Sequence, residues 1–411
     1  MSATTAAIWS FLLAVALSAA SGAVVANEPL AGQPTGKIVA EFDIAKDGDI
    51  IVLPVTIQNK QYPFFLSVAT TRTILDERLR PLLGRSVGRV DDPENSLKFD
   101  EFPALPMKIG SQSFTPAKPL LCGEFDDLRE YYGHEAYGIV GLDFLQGRVV
   151  QIDFDRGKFR VLASFPEEDL LDSEFKPLTP DPFGSGAYTI SLKASGVTPF
   201  FAVDTLFAHS LGMHPWVMEK LARRGALAYL QQASDLRSGR PSPWRVGLLD
   251  RISNGDWTHR NLSIFEQECN RVGLAYLSRF TITFNLSEKA HKYMYLTPGA
   301  KIDDPELFQW SGMEVILKNG KVTVAYIFPD RVAAKAGIEI GDVILQIDGS
   351  KADKFSMFEI RQTFTEQNWV RVKFRRPERD GRAASEYSAT LENPNPVPPL
   401  TRPATRGKAK E

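Results

Sequence analysis

Apolar and polar residues alternate over two segments that lie far apart in the chain. They are RVVQIDFDRGKFRVL at 148–162 and FTITFNLSEKAHKYMYL at 280–296, and each contains two alternating runs separated by a short polar turn. This pattern predicts a β-hairpin in each segment. A related hexapeptide precedes each one, VGLDFL at 140–145 and VGLAYL at 272–277. The chain therefore contains an internal repeat.

A second matching pair lies upstream, PFFLSVATTRTIL at 63–75 and PFFAVDTLFAHSL at 199–211. The offset between the copies is 137 residues at Ser67 and Asp204 (204 minus 67) and 132 at Gly141 and Gly273 (273 minus 141). Strand-like stretches at 50–57 and 188–192 precede the two copies. The sequence thus predicts two mostly β lobes, at 37–165 and 171–297, each of ordinary domain size.

Length and charge narrow the range of functions. The chain has 411 residues, 43% of them hydrophobic and 24% charged, which predicts two or three globular units. The formal net charge of −2 argues against nucleic acid as a partner, because such binding rests on neutralising phosphates. The oligomeric state is left open.

The first 26 residues predict export. An apolar run at 8–26 ends in small residues, as in a signal peptide, so we expect a periplasmic or extracellular protein. The preceding residues contain no Lys or Arg, and an uncleaved N-terminal anchor is the alternative. No later stretch is apolar enough to span a membrane.

Potential metal ligands and cysteines are few. Cys122 and Cys269 are the two cysteines, which excludes a disulfide-rich scaffold, and export would permit a bond between them. His209 and His214 do not have the spacing of a helical zinc motif. We predict neither a metal nor another cofactor.

The repeated segments resemble retropepsin-like aspartic peptidases, particularly bacterial ones. Ile139–Leu145 matches that family's apolar-apolar-Gly-x-Asp-Phe-Leu segment, and Val203–Thr205 matches its Asp-Thr motif. The resemblance covers about residues 37–297 and implies two tandem acid-protease-like β-barrel lobes, a fused version of the family's dimer. In that family one aspartate from each lobe shares a proton with the other, and together they activate water.

The first lobe departs from this motif at the position that carries the chemistry. Ser67 stands where the resemblance expects the first aspartate, and an alignment shifted by one residue places Val68 there instead. No Asp or Glu occurs from 50 to 75 in either case. Asp204 and Thr205 remain in the second lobe, with Leu206 in place of glycine. Asp204, Thr205 and Ser67 are therefore the candidate catalytic positions of a degenerate site with little or no hydrolysis.

Two enzymatic alternatives remain open at this stage. An active aspartic endopeptidase would need a second carboxylate, from a homodimer or from Asp76 or Asp143. A serine nucleophile at Ser67 would need a base, and His209 is the candidate nearest to Asp204 in sequence.

Residues 309–392 resemble a PDZ domain. The segment PDRVAAKAGIEIGDVILQIDG at 329–349 has that family's order of short helix, Ala-Gly-Ile, Gly-Asp, apolar strand and turn glycine. The resemblance implies that Gly312, Met313, Glu314 and Val315 bind peptide or protein C-termini, or extended segments, by strand addition. An assembly scaffold that binds no peptide is the alternative. The Pro-rich, basic segment at 393–411 predicts a disordered tail.

Overall fold

A computed structural model describes residues 37–45, 49–92, 97–166, 173–182, 186–235, 240–287, 292–306, 309–329, 331–379 and 381–394. The predicted signal segment at 1–26 and nearly all of the predicted tail at 393–411 lie outside the described residues. The described chain is mainly β, which confirms the predicted fold class. It divides into two compact units between residues 306 and 307, unit 1 and unit 2.

The first half of unit 1 contains twelve described strands, two short α-helices and a 3-10 helix. The strands are β1 Ile38–Asp43, β2 Val52–Ile57, β3 Lys60–Leu66, β4 Ile74–Asp76, β5 Gly88–Asp92, β6 Leu97–Phe102, β7 Met107–Ile109, β8 Gln112–Phe114, β9 Leu120–Gly123, β10 Gly138–Val140, β11 Val149–Asp153 and β12 Lys158–Leu162. The helices are the 3-10 helix Glu77–Leu82, α1 Asp126–Tyr132 and α2 Leu142–Leu145.

The second half of unit 1 follows a similar order of elements. Its described strands are β13 Glu174–Pro177, β14 Thr179–Pro180, β15 Tyr188–Ser191, β16 Lys193–Ala194, β17 Phe200–Val203, β18 Leu211–Met213, β19 Leu227–Asp235, β20 Arg240–Asn254, β21 Trp257–Glu266, β22 Arg271–Val272, β23 Phe280–Asn285 and β24 Tyr293–Pro298. Its described helices are α3 Pro215–Arg223 and α4 Leu274–Leu277.

Each half of unit 1 forms its own large sheet, and the two share a third. The first sheet has the order β5-β6-β9-β4-β10-β3-β2-β7-β8, and the second has β14-β15-β17-β22-β18-β21-β20-β16, with β19 on β20. In both, a strand at the centre pairs in parallel with the short strand that precedes the repeated glycine, β3 with β10 and β17 with β22. The two halves are therefore structural copies, as the repeat predicts.

The shared sheet joins the halves. Its order is β1-β12-β11-β23-β24-β13, so each half supplies three strands, and the central pair β11 and β23 is antiparallel. The two hairpins predicted from alternation, β11-β12 and β23-β24, are the middle of this sheet. Gln151 and Thr283 face each other across the junction, and the Gln151 amide donates to the Thr283 hydroxyl at 3.3 Å. A large hydrophobic core contains buried residues of both halves.

Unit 2 is a small sheet with helices packed on it. Its described elements are β25 Met313–Lys318, β26 Lys321–Ile327, α5 Val332–Lys335, β27 Val343–Ile347, β28 Ser350–Lys351, the 3-10 helix Ala352–Lys354, α6 Met357–Glu366, β29 Trp369–Arg376 and β30 Ser385–Glu392. The sheet order is β25-β26-β27-β29-β30, so β25 is an edge strand among the described residues. Helix α6 packs near β25 and begins with a capping box between Ser356 and Glu359.

The two cysteines are both free thiols. Cys122 is buried in the first half of unit 1, where burial raises its pKa to about 12, and Cys269 is half-buried in the second half. Among the residues described, no helix combines the length and the apolar character needed to cross a membrane.

His259 makes the stability of unit 1 sensitive to acid. Its ring is 8% exposed and packs edge-on against Tyr276 and Phe280, and burial lowers its pKa from 6.5 to about 4. The unfolded chain binds a proton between these two values and the folded chain does not, so stability decreases as the pH falls from about 6.5 to about 4. A shift of about 2.5 pKa units corresponds to about 3 kcal/mol.

We therefore expect His259→Phe to reduce the loss of stability between pH 7 and pH 4 by up to about 3 kcal/mol. The measurement is urea unfolding of both proteins at the two pH values. An equal loss in the variant and the wild type would show that His259 is not the responsible group.

Candidate functional site

The two copies of the repeat place Ser67 and Asp204 at equivalent points. Ser67 follows β3 and its backbone N–H donates to the Val140 carbonyl at 3.0 Å, whereas Asp204 follows β17 and donates to Val272 at 2.9 Å. Each residue thus begins a turn at the end of a strand that pairs in parallel with the glycine-bearing segment. The sequence alignment of these two positions is reproduced by the backbone.

Gly141 and Gly273 allow the two turns to pack tightly. The amide after each glycine, on Leu142 and on Leu274, donates to the carbonyl of Thr70 or Phe207 at 2.7 Å. A Cβ on Gly141 would lie 2.7 Å from the Thr70 oxygen, and one on Gly273 would lie 2.3 Å from the Phe207 oxygen. Both contacts are far shorter than van der Waals separation, so only glycine fits. The repeated Val-Gly-Leu therefore serves the backbone of the turns.

Thr205 connects the two turns across the junction between the halves. Its fully buried hydroxyl donates to the Leu66 carbonyl at 2.9 Å and accepts from the Val68 N–H at 3.2 Å. Val68 is the residue equivalent to Thr205 in the first half. It has no hydroxyl, so it cannot make the corresponding hydrogen bonds to the backbone of the second half. Ser67 lies between the two residues that Thr205 holds, which brings Ser67 to the same junction as Asp204.

Asp204 forms a buried ion pair with Arg271. The Arg271 guanidinium donates to one carboxylate oxygen at 3.1 Å, and the two side chains are 1% and 3% exposed. The Leu206 N–H donates to the other oxygen at 2.9 Å. Burial raises the pKa of Asp204, and Arg271 opposes this rise. A guanidinium does not give up its proton and a buried cation needs a counter-ion, which is the role that Asp204 has beside Arg271.

Sequence reasoning missed Arg271. It lies on β22 opposite Ala202, and the equivalent residue in the first half is Ile139, opposite Phe65 on β3. The second guanidinium nitrogen of Arg271 donates to the sulfur of Cys269 at 3.0 Å. One feature of the sequence could have indicated this residue. Arg271 directly precedes Val-Gly-Leu in the second copy of the repeat, where the first copy has the apolar Ile139.

Ser67 is held in a different network from Asp204. Its buried hydroxyl oxygen accepts from the Thr70 hydroxyl at 2.8 Å. The His209 ring stacks on Phe265 with 3.7 Å between ring centres. The described geometry thus gives the hypothesis of a Ser67–His209 catalytic pair no support.

The other two carboxylates considered as partners of Asp204 have roles inside the first half. Asp76 accepts from Arg78 and from Arg129, each at 2.7 Å. Asp143 accepts from the Thr73 backbone at 2.8 Å and from its hydroxyl at 2.7 Å. Burial raises the pKa of Asp143, and the bonds from Thr73 oppose this. Both side chains anchor local backbone or neighbouring arginines.

The four predicted peptide-binding residues of unit 2 lie at the start of its edge strand. Gly312 has a φ of 70°, a conformation that glycine adopts without strain, and leads into β25. The Met313 and Val315 side chains are buried, whereas Glu314 is half-buried. Burial raises the pKa of Glu314, and Arg361 opposes this rise. A strand edge beside a helix is the arrangement that strand addition requires.

The first half of unit 1 supplies the template for testing the Asp204–Arg271 pair. We expect Arg271→Ile and Asp204→Ser each to destabilise unit 1 by about 3–5 kcal/mol, because each leaves one buried charge without its partner. The double variant carries the pair found at Ser67 and Ile139 and should lose less stability than either single variant. Urea unfolding of all four proteins gives the coupling energy, and strictly additive losses would contradict the assignment.

Comparisons with known proteins include a distant structural neighbour. No protein-family model matches the chain, and no curated protein matches its sequence. Among solved structures, basic 7S globulin from soybean is similar to it with a TM-score of 0.40 and 10% sequence identity, over 65% of this chain and 96% of that one. A likeness at this level carries no argument about function.

Proposed function

We propose that this chain is an exported, non-hydrolytic relative of the retropepsin-like aspartic peptidases that binds extended peptide segments or protein C-termini. The observation that carries the proposal is the buried Asp204–Arg271 ion pair, opposite a serine in the other half. The resemblance of the repeated motifs supports the family, and the apolar run at 8–26 supports export.

Aspartic-peptidase chemistry needs two carboxylates that share one proton. One of them accepts a proton from water while the other protonates the substrate, and this is possible because like charges at short distance cannot both ionise. Asp204 has a permanent cation in place of a second acid, and the Ser67 hydroxyl is far too weak an acid to share its proton. Loss of one member of such a coupled unit removes most of the rate enhancement.

Peptide binding is proposed for unit 2 because of its edge strand and its resemblance to a PDZ domain. An extended peptide can extend the sheet at β25, and the loop at 310–313 can accept a terminal carboxylate through backbone N–H groups. The free energy of such binding comes largely from main-chain hydrogen bonds. Strand addition would therefore make unit 2 the recognition module of the protein.

The scaffold alternative is favoured by one observation. Two carbonyl groups of β25, on Met313 and Val315, already accept side-chain hydrogen bonds from Gln309 and Arg361. Side chains that cover an edge strand also protect it from pairing with other chains. If the protein is a scaffold that binds no peptide, the hydrogen bonds from Gln309 and Arg361 stay in place when peptides are added.

The absence of hydrolysis is testable at acidic pH. We expect no cleavage of denatured casein by the wild type at pH 4–5 above the background given by Asp204→Ser/Arg271→Ile, which lacks the carboxylate and its counter-ion. Mass spectrometry of the digests is the readout, and circular dichroism at the same pH verifies folding because His259 favours acid unfolding. Pepstatin-sensitive cleavage by the wild type alone would establish the active-peptidase alternative.

Recognition of C-termini predicts a difference between free and blocked peptides. We expect full-length protein to bind hexapeptides with a free terminal carboxylate at least about tenfold more tightly than the same peptides with a terminal amide, because the amide lacks the charge that the loop accepts. Fluorescence anisotropy measures both affinities. Equal affinities would contradict C-terminal recognition, and no binding would favour the scaffold.

A further inference from the structure

Residues 299–306 lie across unit 1 as a segment that we call the strap. The strap follows β24 and ends at the last residue of unit 1. The Gly299 N–H donates to the Arg279 carbonyl at 2.8 Å, and the Ala300 N–H donates to the Asp155 carboxylate at 2.8 Å. Arg279 belongs to the second half of unit 1 and Asp155 to the first. The start of the strap is therefore fixed to both halves.

The Arg279 side chain holds the middle of the strap. Its guanidinium donates to the backbone carbonyls of Lys301, at 3.3 Å, and Asp304. The side chain is 6% exposed, so these hydrogen bonds lie in the interior. Hydrogen bonds from an ionised donor are stronger than those from a neutral one. The conformation of the strap therefore depends on the position of this guanidinium.

Glu306 holds the end of the strap. Its carboxylate is 8% exposed and accepts from the hydroxyls of Ser210, at 2.8 Å, and Ser263. The Arg279 guanidinium lies 3.4 Å from the same carboxylate. A buried carboxylate needs hydrogen-bond donors and a cation around it, and these three residues supply both. The last residue of unit 1 is thus anchored by its side chain.

His259 lies close both to the strap and to the arginine that holds it. The charged or titratable groups that face its ring are Tyr276 from α4, Arg279 from the turn after α4 and Asp303 from the strap. Burial lowers the pKa of His259 most, the charge of Arg279 lowers it further, and the charge of Asp303 raises it. A proton on His259 is therefore felt by the residues that fix the strap.

We propose that the strap is released in acid, when a proton on His259 places a second positive charge beside Arg279. Two cations repel each other strongly where the effective dielectric constant is low. The guanidinium cannot lose its proton, so the repulsion is relieved when Arg279 moves towards water. That movement breaks its bonds to the strap carbonyls and its contact with Glu306. The attraction of protonated His259 to Asp303 is weaker, because Asp303 is exposed and screened by solvent.

Acid favours the released state because the two states bind protons differently. With the strap in place the pKa of His259 is about 4, and it returns towards 6.5 when the ring meets water. The released state therefore binds the proton more readily, and it is favoured as the pH falls from about 6.5 to about 4. Between pH 7 and pH 4.5 the equilibrium changes by up to about 60-fold.

Release adds the strap to the length of chain that leads to unit 2. Acid would then lengthen the connection between the two units, and the tolerance of their connection to distance would increase with its length. This inference goes beyond the proposed function and does not depend on peptide binding.

The experiment follows hydrogen exchange of the full-length protein by mass spectrometry at pH 7 and pH 4.5. Strap protection is expressed at each pH relative to a synthetic peptide of residues 297–308, so the pH dependence of intrinsic exchange cancels. We expect the wild type to lose strap protection by at least about tenfold at pH 4.5, whereas His259→Phe keeps it. His134→Gln is the matched control and should behave as the wild type, because His134 bonds Asp49 in the first half.

Glu306→Gln tests the anchor without a change of pH. It leaves Arg279 without its carboxylate, and we expect strap protection at pH 7 to decrease by about tenfold, as for the loss of a hydrogen bond to a charged group. His259→Gln, which is also uncharged, replaces His259→Phe if the latter does not fold.

Three results would overturn the proposal. One is full strap protection in the wild type at pH 4.5. Another is an equal loss in the wild type and in His259→Phe, because a different group then senses the acid. The third is a loss that extends to β23 in the shared sheet at the same pH, because unit 1 then unfolds as a whole and the strap is not released separately.

Discussion

The second half of unit 1 depends, where it meets the first, on the buried pair of Asp204 and Arg271. A guanidinium that is 1% exposed cannot be neutralised by losing its proton, so the folded chain needs an anion beside it. Asp204 provides that anion while its second oxygen caps the Leu206 N–H. The Asp204 carboxylate is therefore engaged on both of its oxygens inside the protein.

At the junction the two halves have the same backbone geometry but different side chains. Gly141 and Gly273 make the same close approach to a carbonyl in both halves, because each turn packs against its own glycine segment. Thr205 holds the backbone on both sides of Ser67, whereas Val68 cannot return the contact. The two halves thus share the backbone geometry of their turns and differ in the side chains that the turns carry.

Local patterns predicted the strands that build this junction. Period-two alternation at 148–162 and 280–296 was sufficient to predict both hairpins, although only β12 and β24 alternate in burial and β11 and β23 are buried at nearly every position. The equivalence of Ser67 and Asp204 followed from the repeat. The partner of Asp204 could not be predicted in this way, because Arg271 is 67 residues away and meets it only through the parallel pairing of β17 with β22. The hydrogen bond from Arg361 to the Val315 carbonyl of β25 could not be predicted either, because it depends on the packing of helix α6 beside an edge strand.

Two arginines donate hydrogen bonds to groups named in the proposed function. Arg271 donates to the Asp204 carboxylate, and Arg361 donates to the Val315 carbonyl. Arg271 holds the Asp204 carboxylate in the interior, where separating the two charges costs several kcal/mol. A substrate group would have to meet that cost to take the place of Arg271. Arg361 holds the Val315 carbonyl at a half-buried edge, where a peptide N–H can replace it with little net cost. The first contact lies in the interior, whereas the second lies at a half-buried edge. This difference supports the proposal that peptides bind at unit 2, whereas the Asp204–Arg271 pair stabilises the second half of unit 1.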